Sequence, residues 1–323
     1  MPHQPMRCGF ALPQYDYSVP GESPLTWATV ERWADHAVAR GFTSLWVSDH
    51  LFLGIEKYGG PAGRPGRRSS APSGYGCFDA IVAMGALAAR QPDATIGCLV
   101  FAAPFRPPRL LAKQLHTLGA LAPGGIVAGL GAGWYEPEFA AAGIPFGPPG
   151  ARLRQLAETV DEVRDFFADH PEQRPPLWVG GKGDRLLTDV VAPHAEGWNT
   201  VWSWTPDAYG AKLEVLHRAC ARIERDPATV TLSLGLTALV GEDEADLRRR
   251  FDRLVTLTPK GVLDGVTLEG WRVGRLVGTV EEVRAQRHEW EALGVSLLVV
   301  NLGALPFSVT DTDDLDLVAS ALS

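Results

Sequence analysis

The sequence predicts an α/β protein, a (β/α)8 barrel. Short apolar runs alternate with longer segments in which apolar residues recur at helical spacing. Eight such strand–helix units follow one another, and the 323 residues are enough for one barrel of about 250 residues with insertions. The alternation predicts a parallel sheet with right-handed crossovers, because consecutive parallel strands connect in that way.

The first half of the chain contains four strand–helix units. Gly41 follows the first helical segment and is a typical stop signal for a helix. Strands are predicted at residues 8–12, 45–47, 94–102 and 126–130, and helices at residues 26–40, 78–90 and 107–121.

A long segment at residues 54–76 interrupts the second unit and is rich in Gly, Pro and Ser. It is too poor in apolar residues to be a plain connection, and loops of this kind are usually lids or insertions. Its Arg64, Arg67 and Arg68 could meet an anionic ligand, but a solvated loop is the favoured interpretation.

The second half repeats the pattern with longer connections. Thr205 and Pro206 open a helix with a polar N-cap and Pro at the first position, and residues 279–282 form a capping box for a helix that ends at Gly294. The other predictions are strands at 176–179, 197–200, 230–240 and 295–301, helices at 151–169, 186–191 and 243–257, loops at 143–150 and 259–275, and a short helix after Thr310. We expect a single domain over residues 1–323, with insertions near 54–76 and 259–275.

The composition argues against several classes of function. Thirty Lys and Arg against 38 Asp and Glu give a net charge of −8, which offers no electrostatic reason to expect nucleic acid. The chain has no run of 18 apolar residues and no apolar signal segment at its start, so we expect a soluble cytoplasmic protein without membrane contact. The four cysteines form no CxxC pair and are predicted to be buried free thiols.

The adjacent Asp49 and His50 are the leading catalytic candidates. They end the second predicted strand, and the carboxyl ends of the strands form the active-site face of a barrel. A histidine there is a candidate proton donor or acceptor near neutral pH. The alternative is a capping aspartate beside a histidine that satisfies backbone groups.

Two glycine-rich segments follow later strands. Residues 129–133, GLGAG, lack the last glycine of a dinucleotide-binding motif, so we read them as a strand end that a flat ligand can approach, beside Trp134 as a stacking surface. The segment Gly180-Gly181-Lys182-Gly183 precedes a helix and suits a phosphate, although an ordinary turn explains it equally well.

No catalytic triad, paired-carboxylate motif or metal cluster is recognisable, and no metal is expected. Glu136 and Glu138 could serve as acids, but surface carboxylates are the favoured interpretation. An enzyme without its own electrophile would need a cofactor for the difficult step.

Six segments together resemble the luciferase-like monooxygenase superfamily, and within it the branch that uses the deazaflavin coenzyme F420. In chain order they are SLWVSDHL, ATIGCLVFAAPFRPPRLLAKQ, GGIVAGLGAGWYEPEFAAAGIPF, PLWVGGKGD, AEGWNT and VGTVEEVRAQRHEWEALGV. Each motif is weak alone, whereas six in the same order over nearly the whole chain are specific. The sequence departs from the family pattern at Pro107, often His, and at Glu196, usually Asp. Trp134 replaces a Glu of the sugar-phosphate dehydrogenases, which argues against that activity.

The resemblance implies a luciferase-like barrel, commonly a homodimer, with the deazaflavin across the carboxyl ends of the strands. By position, Asp49 and His50 match the pair beside the ring, and Leu99-Val100 matches a non-prolyl cis peptide that backs it. Ala132, Gly133 and Trp134 match the loop along the ring, and Gly180, Gly181 and Gly183, with Lys182 adding charge, match the phosphate loop.

The sequence therefore predicts an F420-dependent oxidoreductase that transfers a hydride between reduced deazaflavin and a small organic substrate. His50, oriented by neighbours such as Asp49, passes the accompanying proton. The predicted aromatic walls are Tyr15, Trp46, Phe101 and Trp134. Two alternatives are an FMN-dependent monooxygenase on the same barrel and a non-catalytic flavin or deazaflavin carrier.

Overall fold

Eight parallel strands close into a barrel in the computed structural model, which describes residues 6–53 and 76–323. Each strand pairs in parallel with both neighbours, and the ring closes where the first strand pairs with the last. The predicted (β/α)8 class is confirmed. The predicted arginine loop lies outside the described residues, except for Gly76. The barrel strands are β1 Arg7–Ala11, β2 Ser44–Val47, β3 Thr95–Ala102, β4 Ile126–Gly131, β5 Leu177–Gly180, β6 Gly197–Trp202, β7 Thr231–Gly241 and β9 Leu297–Asn301.

A further strand, β8 Leu276–Thr279, was not predicted. It pairs with residues Ala238–Gly241 of β7, beyond the part of β7 that closes the barrel. The segment 259–275, predicted to be irregular, contains the short helix α10 Leu268–Arg272, and Trp271 packs there in a separate small core with Leu263 and Phe251. In β8, only Leu276 and Val277 are apolar before the glycine, and this run is too short to be recognised as a strand in the sequence.

The helices surround the barrel. Both helices that were predicted to begin at a side-chain cap do so. Thr205 caps its helix, and Thr279 and Glu282 form both bonds of the predicted capping box. The helices are α1 Trp27–Ala39, α2 Ala80–Arg90, α3 Pro108–Leu121, α4 Glu136–Ala141, α5 Pro149–Phe166, α6 Asp184–Leu186, α7 Ala192–His194, α8 Pro206–Arg222, α9 Glu244–Leu257, α11 Val280–Ala292 and α12 Thr312–Leu322, and a π-helical turn at Leu187–Val191 joins α6 to α7.

Two tryptophans fill the barrel interior below the carboxyl ends of the strands. Trp46 of β2 and Trp178 of β5 are buried and stack with ring centroids 5.7 Å apart. Glycines in the neighbouring strands make room for them: a Cβ on Gly97 would lie 2.2 Å from Trp46 Cζ3, and one on Gly197 would lie 2.4 Å from Trp178 Cδ1. The packed interior leaves space for a ligand at the upper end of the barrel.

The four cysteines are free, as predicted. Cys98 and Cys220 are buried, whereas Cys8 and Cys77 are partly buried. Within the described part of the chain, no helix is both long enough and apolar enough to cross a bilayer. The same residues contain no group of three or more His, Cys, Asp or Glu side chains that could hold a metal ion.

Candidate active site

A cavity of about 540 Å³ lies at the carboxyl ends of the strands, where a barrel carries its active site. Seven of the eight barrel strands or the loops after them contribute to its described lining, and most of these side chains are apolar. The lining residues that the structure describes are Tyr15, Ser48, Asp49, His50, Leu53, Leu99, Val100, Ala102, Gly133, Trp134, Glu138, Gly180, Gly181, Lys182, Asn199, Thr200, Val201, Trp202, Pro306 and Phe307.

His50 is held by Glu138, a residue that the sequence analysis placed on the surface. His50 Nδ1 lies 2.9 Å from Oε1 and 3.1 Å from Oε2 of Glu138. The carboxylate also accepts hydrogen bonds from the backbone N–H groups of Leu51 and Phe52. Glu138 is 1% exposed, so the expectation of a surface carboxylate is wrong at this position, whereas Glu136 on the same helix is exposed.

The location of Glu138 explains why the sequence did not reveal it. No element was predicted for residues 135–142, where the helix α4 Glu136–Ala141 lies; its first turn directs Glu136 to solvent and Glu138 into the cavity. The local spacing holds no signal that separates the two glutamates, because adjacent helical residues do not share a face and the partner of Glu138 lies 88 positions away.

The contact with Glu138 assigns the tautomer of His50. A carboxylate can only accept, so Nδ1 carries a proton and Nε2 is the nitrogen free to accept or donate one. Among residues 6–53 and 76–323, no hydrogen bond occupies Nε2 of His50. The arrangement of a base oriented by a buried carboxylate is a recurrent one for proton transfer.

Asp49 does not orient His50, and that expectation is wrong. Its carboxylate accepts a bidentate pair of bonds from Arg106, at 2.7 and 2.9 Å, and a third from the backbone N–H of Ala102 at 3.0 Å. Burial alone would lower the pKa of Arg106, but its hydrogen bonds to Asp49 and the charge of that residue raise it overall. Asp49 lines the cavity and joins the end of β2 to the end of β3.

A second set of bonds fixes the residue before this pair. Gln14 accepts the Ser48 backbone N–H at 2.7 Å and donates to the Ser48 carbonyl at 2.6 Å. The Ser48 hydroxyl also contacts the Tyr15 hydroxyl. These bonds hold the backbone before Asp49, and the bonds from Leu51 and Phe52 to Glu138 hold the backbone after His50. The position of the His50 ring is therefore fixed from both sides.

The middle of β3 carries a bulge. The Leu99–Val100 peptide bond is cis, and the pairing of β3 with β4 shifts register between Cys98 and Phe101. A Cβ on Gly131 would lie 2.4 Å from Val100 Cγ2, and one on Gly180 would lie 2.5 Å from Val100 Cγ1. Both glycines therefore make room for Val100.

The glycines of GLGAG likewise lie against the protein's own atoms, whereas the sequence pattern indicated an approach for a flat ligand. A Cβ on Gly129 would lie 2.4 Å from the Cys98 carbonyl oxygen, and one on Gly133 would lie 2.4 Å from the Phe139 ring. These glycines accommodate the protein's own backbone and side chains. Gly133 and Trp134 line the cavity, whereas the described lining does not include Ala132.

The loop after β5 leads into the helix that starts at Asp184. Gly180, Gly181 and Lys182 line the cavity, while Gly183 does not. The N–H of Gly181 donates to the Asn199 carbonyl at 3.0 Å, so this glycine does not offer its N–H to a ligand. Desolvation lowers the pKa of Lys182, whose ammonium lies 5.1 Å from the centre of the Trp204 ring.

Of the four predicted aromatic walls, two line the cavity. Tyr15 and Trp134 both do, and each ring makes an edge contact with His50, with centroids 6.1 and 5.7 Å apart. Trp46 and Phe101 do not, because both are fully buried, Trp46 in the barrel interior and Phe101 in the larger core that the strands share with the helices. Trp202 and Phe307 line the cavity and were missed, since both follow or end strands in segments without a recognisable motif.

The sequence model of the family described as "Luciferase-like monooxygenase" matches residues 6–297 of the chain. The chain belongs to the luciferase-like monooxygenase family. The family inferred from the six motifs is confirmed. The match includes every described lining residue of the cavity except Pro306 and Phe307, which follow it in the chain.

Curated and solved relatives of this luciferase-like chain include F420-dependent enzymes. An F420-dependent glucose-6-phosphate dehydrogenase of Microbacterium testaceum is 28% identical over 54% of this chain, and the match spans about half, 52%, of the dehydrogenase. An F420-dependent secondary alcohol dehydrogenase, solved with an F420–acetone adduct, superposes with a TM-score of 0.72 at 17% identity over 99% of this chain and 100% of that one. The monooxygenase RslO1 of Streptomyces bottropensis has a TM-score of 0.70 at 18% identity, over 97% and 98% of the two chains. The structural likenesses bear on the fold alone.

Proposed function

We propose that this chain is an F420-dependent oxidoreductase that transfers a hydride between the deazaflavin and a small organic substrate, with His50 as the proton donor or acceptor. The observation that carries the proposal is the His50–Glu138 pair at the edge of the cavity of a luciferase-like barrel. The F420-dependent glucose-6-phosphate dehydrogenase among the sequence relatives supports the choice of cofactor.

The residues of the cavity fit a flat tricyclic ring joined to a phosphate. Leu99 and Val100 on the β3 bulge offer an apolar surface for the ring, and Lys182 offers a cation at the start of a helix for the phosphate. When bound, F420 supplies two-electron hydride chemistry, since its ring carries carbon where a flavin carries nitrogen. FMN shares the ring shape and the phosphate, so these contacts alone suit both cofactors.

The chain itself contributes position and a proton path. Glu138 holds Nδ1 of His50, and this leaves Nε2 to give a proton to the reduced substrate or to take one from an alcohol. The pair is largely buried, with 14% of the His50 side chain and 2% of the Glu138 side chain exposed, so water screens their contact little.

The cofactor assignment is tested by titrating the purified protein with F420 and, in parallel, with FMN, following cofactor fluorescence. We expect micromolar or tighter binding of F420 and much weaker binding of FMN. A preference for FMN would support the oxygen-dependent monooxygenase instead, and the absence of binding by either would contradict both cofactor assignments.

The role of His50 is tested with His50→Ala. An enzyme that uses His50 loses turnover while it still binds the cofactor, whereas a non-catalytic carrier keeps its function. The matched control is His170→Ala, because His170 is an exposed histidine near a turn outside the cavity. Equal turnover of the two variants would contradict the proposal.

A further inference from the structure

One polar side chain in the lining of the cavity is only half satisfied by the protein. Asn199 belongs to β6 and lines the cavity, although it is only 2% exposed. Its amide N–H donates to the Ser233 hydroxyl at 2.9 Å. Among residues 6–53 and 76–323, no group donates a hydrogen bond to its carbonyl oxygen Oδ1. An amide can both donate and accept, so half of the capacity of this side chain is left for a ligand.

Asn199 lies at the level of the β3 bulge. In the strand register it is paired with Gly180 of β5 on one side and with Ser233 of β7 on the other. A Cβ on Gly180 would lie 2.5 Å from Val100 Cγ1. Only a residue without a side chain therefore separates Asn199 from Val100, which belongs to the proposed surface for the cofactor ring.

The barrel is closed below Asn199. Trp178 stacks on Trp46, and a Cβ on Gly197 would lie 2.4 Å from Trp178 Cδ1. Gly197 precedes Asn199 on the same side of β6, because alternate residues of a strand share a side. A ligand that fills the bottom of the cavity excludes water from Oδ1, so this oxygen keeps a hydrogen bond only if the ligand supplies a donor.

The rings of F420 and FMN both carry such a donor. In their oxidised forms each has one ring N–H, the imide N–H between the two carbonyls of the pyrimidine ring. An amide oxygen accepts from it, whereas the carbonyls on either side of it cannot donate. Neighbouring strands lie about 4.8 Å apart, which is less than the length of a tricyclic ring. A ring on Val100 can therefore reach Asn199 across Gly180 without meeting a side chain of β5.

We propose that Asn199 binds the imide edge of the cofactor ring, with Oδ1 accepting the imide N–H. The bond from Nδ2 to Ser233 holds the amide in the orientation that directs Oδ1 to the ligand. This inference rests on the proposed function, and it concerns the part of the ring that F420 and FMN share. Asn199 would then fix which edge of the ring lies at the bottom of the cavity.

The test is a calorimetric titration, without substrate, with F420 and with 3-methyl-F420, in which a methyl group replaces the imide hydrogen. We expect the wild-type protein to bind F420 at least about tenfold more tightly than the methyl derivative, because methylation leaves Oδ1 without a donor. Equal binding of the two ligands by the wild type would overturn the proposal.

Asn199→Leu keeps much of the volume of the side chain and removes the acceptor. We expect it to bind F420 at least about fivefold more weakly and to prefer it over 3-methyl-F420 by about twofold or less. An unchanged F420 affinity, or a tenfold preference that survives in this variant, would overturn the proposal. Asn199→Ala is the second variant should the first prove unstable, and thermal unfolding reports whether each is folded.

Two further variants separate the hydrogen bond from general packing. Val201→Ala is the control, because Val201 lies on the same strand and lines the cavity without a polar side-chain atom. It should change both affinities by the same factor, and a lost preference there would contradict the assignment to Asn199. Ser233→Ala removes only the orienting bond, since Ser233 is fully buried outside the described lining. We expect the preference to fall at least about threefold, and an unchanged preference would refute the orienting role.

FMN and 3-methyl-FMN are titrated in parallel, so that the two proposals fail in different ways. An Asn199-dependent preference for FMN over its methyl derivative, without F420 binding, would support the imide contact and contradict the F420 assignment. F420 binding without a preference over 3-methyl-F420 would do the reverse. Binding of neither cofactor would overturn both proposals.

Discussion

Nδ1 of His50 lies 2.9 Å from Oε1 of Glu138, although the two residues are 88 positions apart in the chain. One follows β2 and the other belongs to the first turn of α4. The contact is sheltered, because the Glu138 side chain is 2% exposed and that of His50 is 14% exposed. It joins a candidate proton donor to a carboxylate in a place where water screens their interaction little.

We expect Glu138→Gln to lower turnover at least about tenfold, a part of the 10²–10⁴ that positioned proton transfer contributes. An amide can turn its NH2 group towards Nδ1 and holds the ring in one orientation less firmly than a carboxylate does, so kcat should fall while the affinity for F420 is kept. The measurement is steady-state kcat and KM, with F420 affinity as a check on folding.

Glu136→Gln is the matched control. It removes the same charge from the same helix, but Glu136 is exposed and does not line the cavity. If Glu138→Gln kept the same kcat as Glu136→Gln, the positioning role of Glu138 would be refuted.

We expect Arg106→Met to destabilise the protein by about 3–5 kcal/mol, because it leaves the buried Asp49 carboxylate without its cation. Replacing Asp49 as well, in the double variant Asp49→Asn/Arg106→Met, should recover part of that loss. Urea unfolding measures both, and Arg109→Met is the control since Arg109 is exposed on α3. A loss no greater than that of the control would show that the pair contributes little.

We expect Gly180→Ala to cost about 1–3 kcal/mol of stability and to weaken F420 binding, since its Cβ would lie 2.5 Å from Val100 Cγ1. The double variant Gly180→Ala/Val100→Ala should recover stability, because the next contact, to Val100 Cβ, is an ordinary 3.6 Å. Gly183→Ala is the control, because a Cβ there would lie 4.0 Å from the Cβ of Leu186. Thermal unfolding and F420 titration give the two readouts, and a double variant no better than the single one would argue against this packing.

We expect Cys77 to react slowly with iodoacetamide in the folded protein. Burial raises the pKa of its thiol to about 12, the Leu53 backbone lowers it somewhat, and the charges of Glu138 and Asp49 raise it further. At pH 8 a thiol with this pKa is about 10⁻⁴ ionised, against about 10⁻¹ for an ordinary thiol of pKa about 9, and the thiolate is the reactive form.

Mass spectrometry of alkylated peptides measures this rate, with urea-unfolded protein as the reference. The reaction should accelerate as the pH rises towards 12, because deprotonation of the folded thiol is what limits it. Labelling of native Cys77 at the unfolded rate would mean that the thiol is accessible and not held by its bond to the His50 carbonyl.

Most strands and helices of the barrel could be predicted from the sequence, because residues that face the core recur at the spacing of a strand or of a helix. Leu45, Trp46 and Val47 read as a buried strand, and all three are buried in β2. Periodicity failed for α4, which has six residues, and for β8, in which only Leu276 and Val277 are apolar before a glycine, since neither holds enough apolar positions to show a period.

The sequence by itself determined the barrel, the family and the placement of His50 at the carboxyl end of β2, because the order of strands and motifs along the chain is a property of the sequence alone. The tertiary structure decided which groups surround His50. It brought Glu138 to the imidazole, gave Asp49 to Arg106 and assembled Tyr15, Trp202 and Phe307 from three distant segments. These contacts depend on side chains that meet only when the sheet closes into a ring, and the spacing of residues along the chain does not record which side chains then face one another.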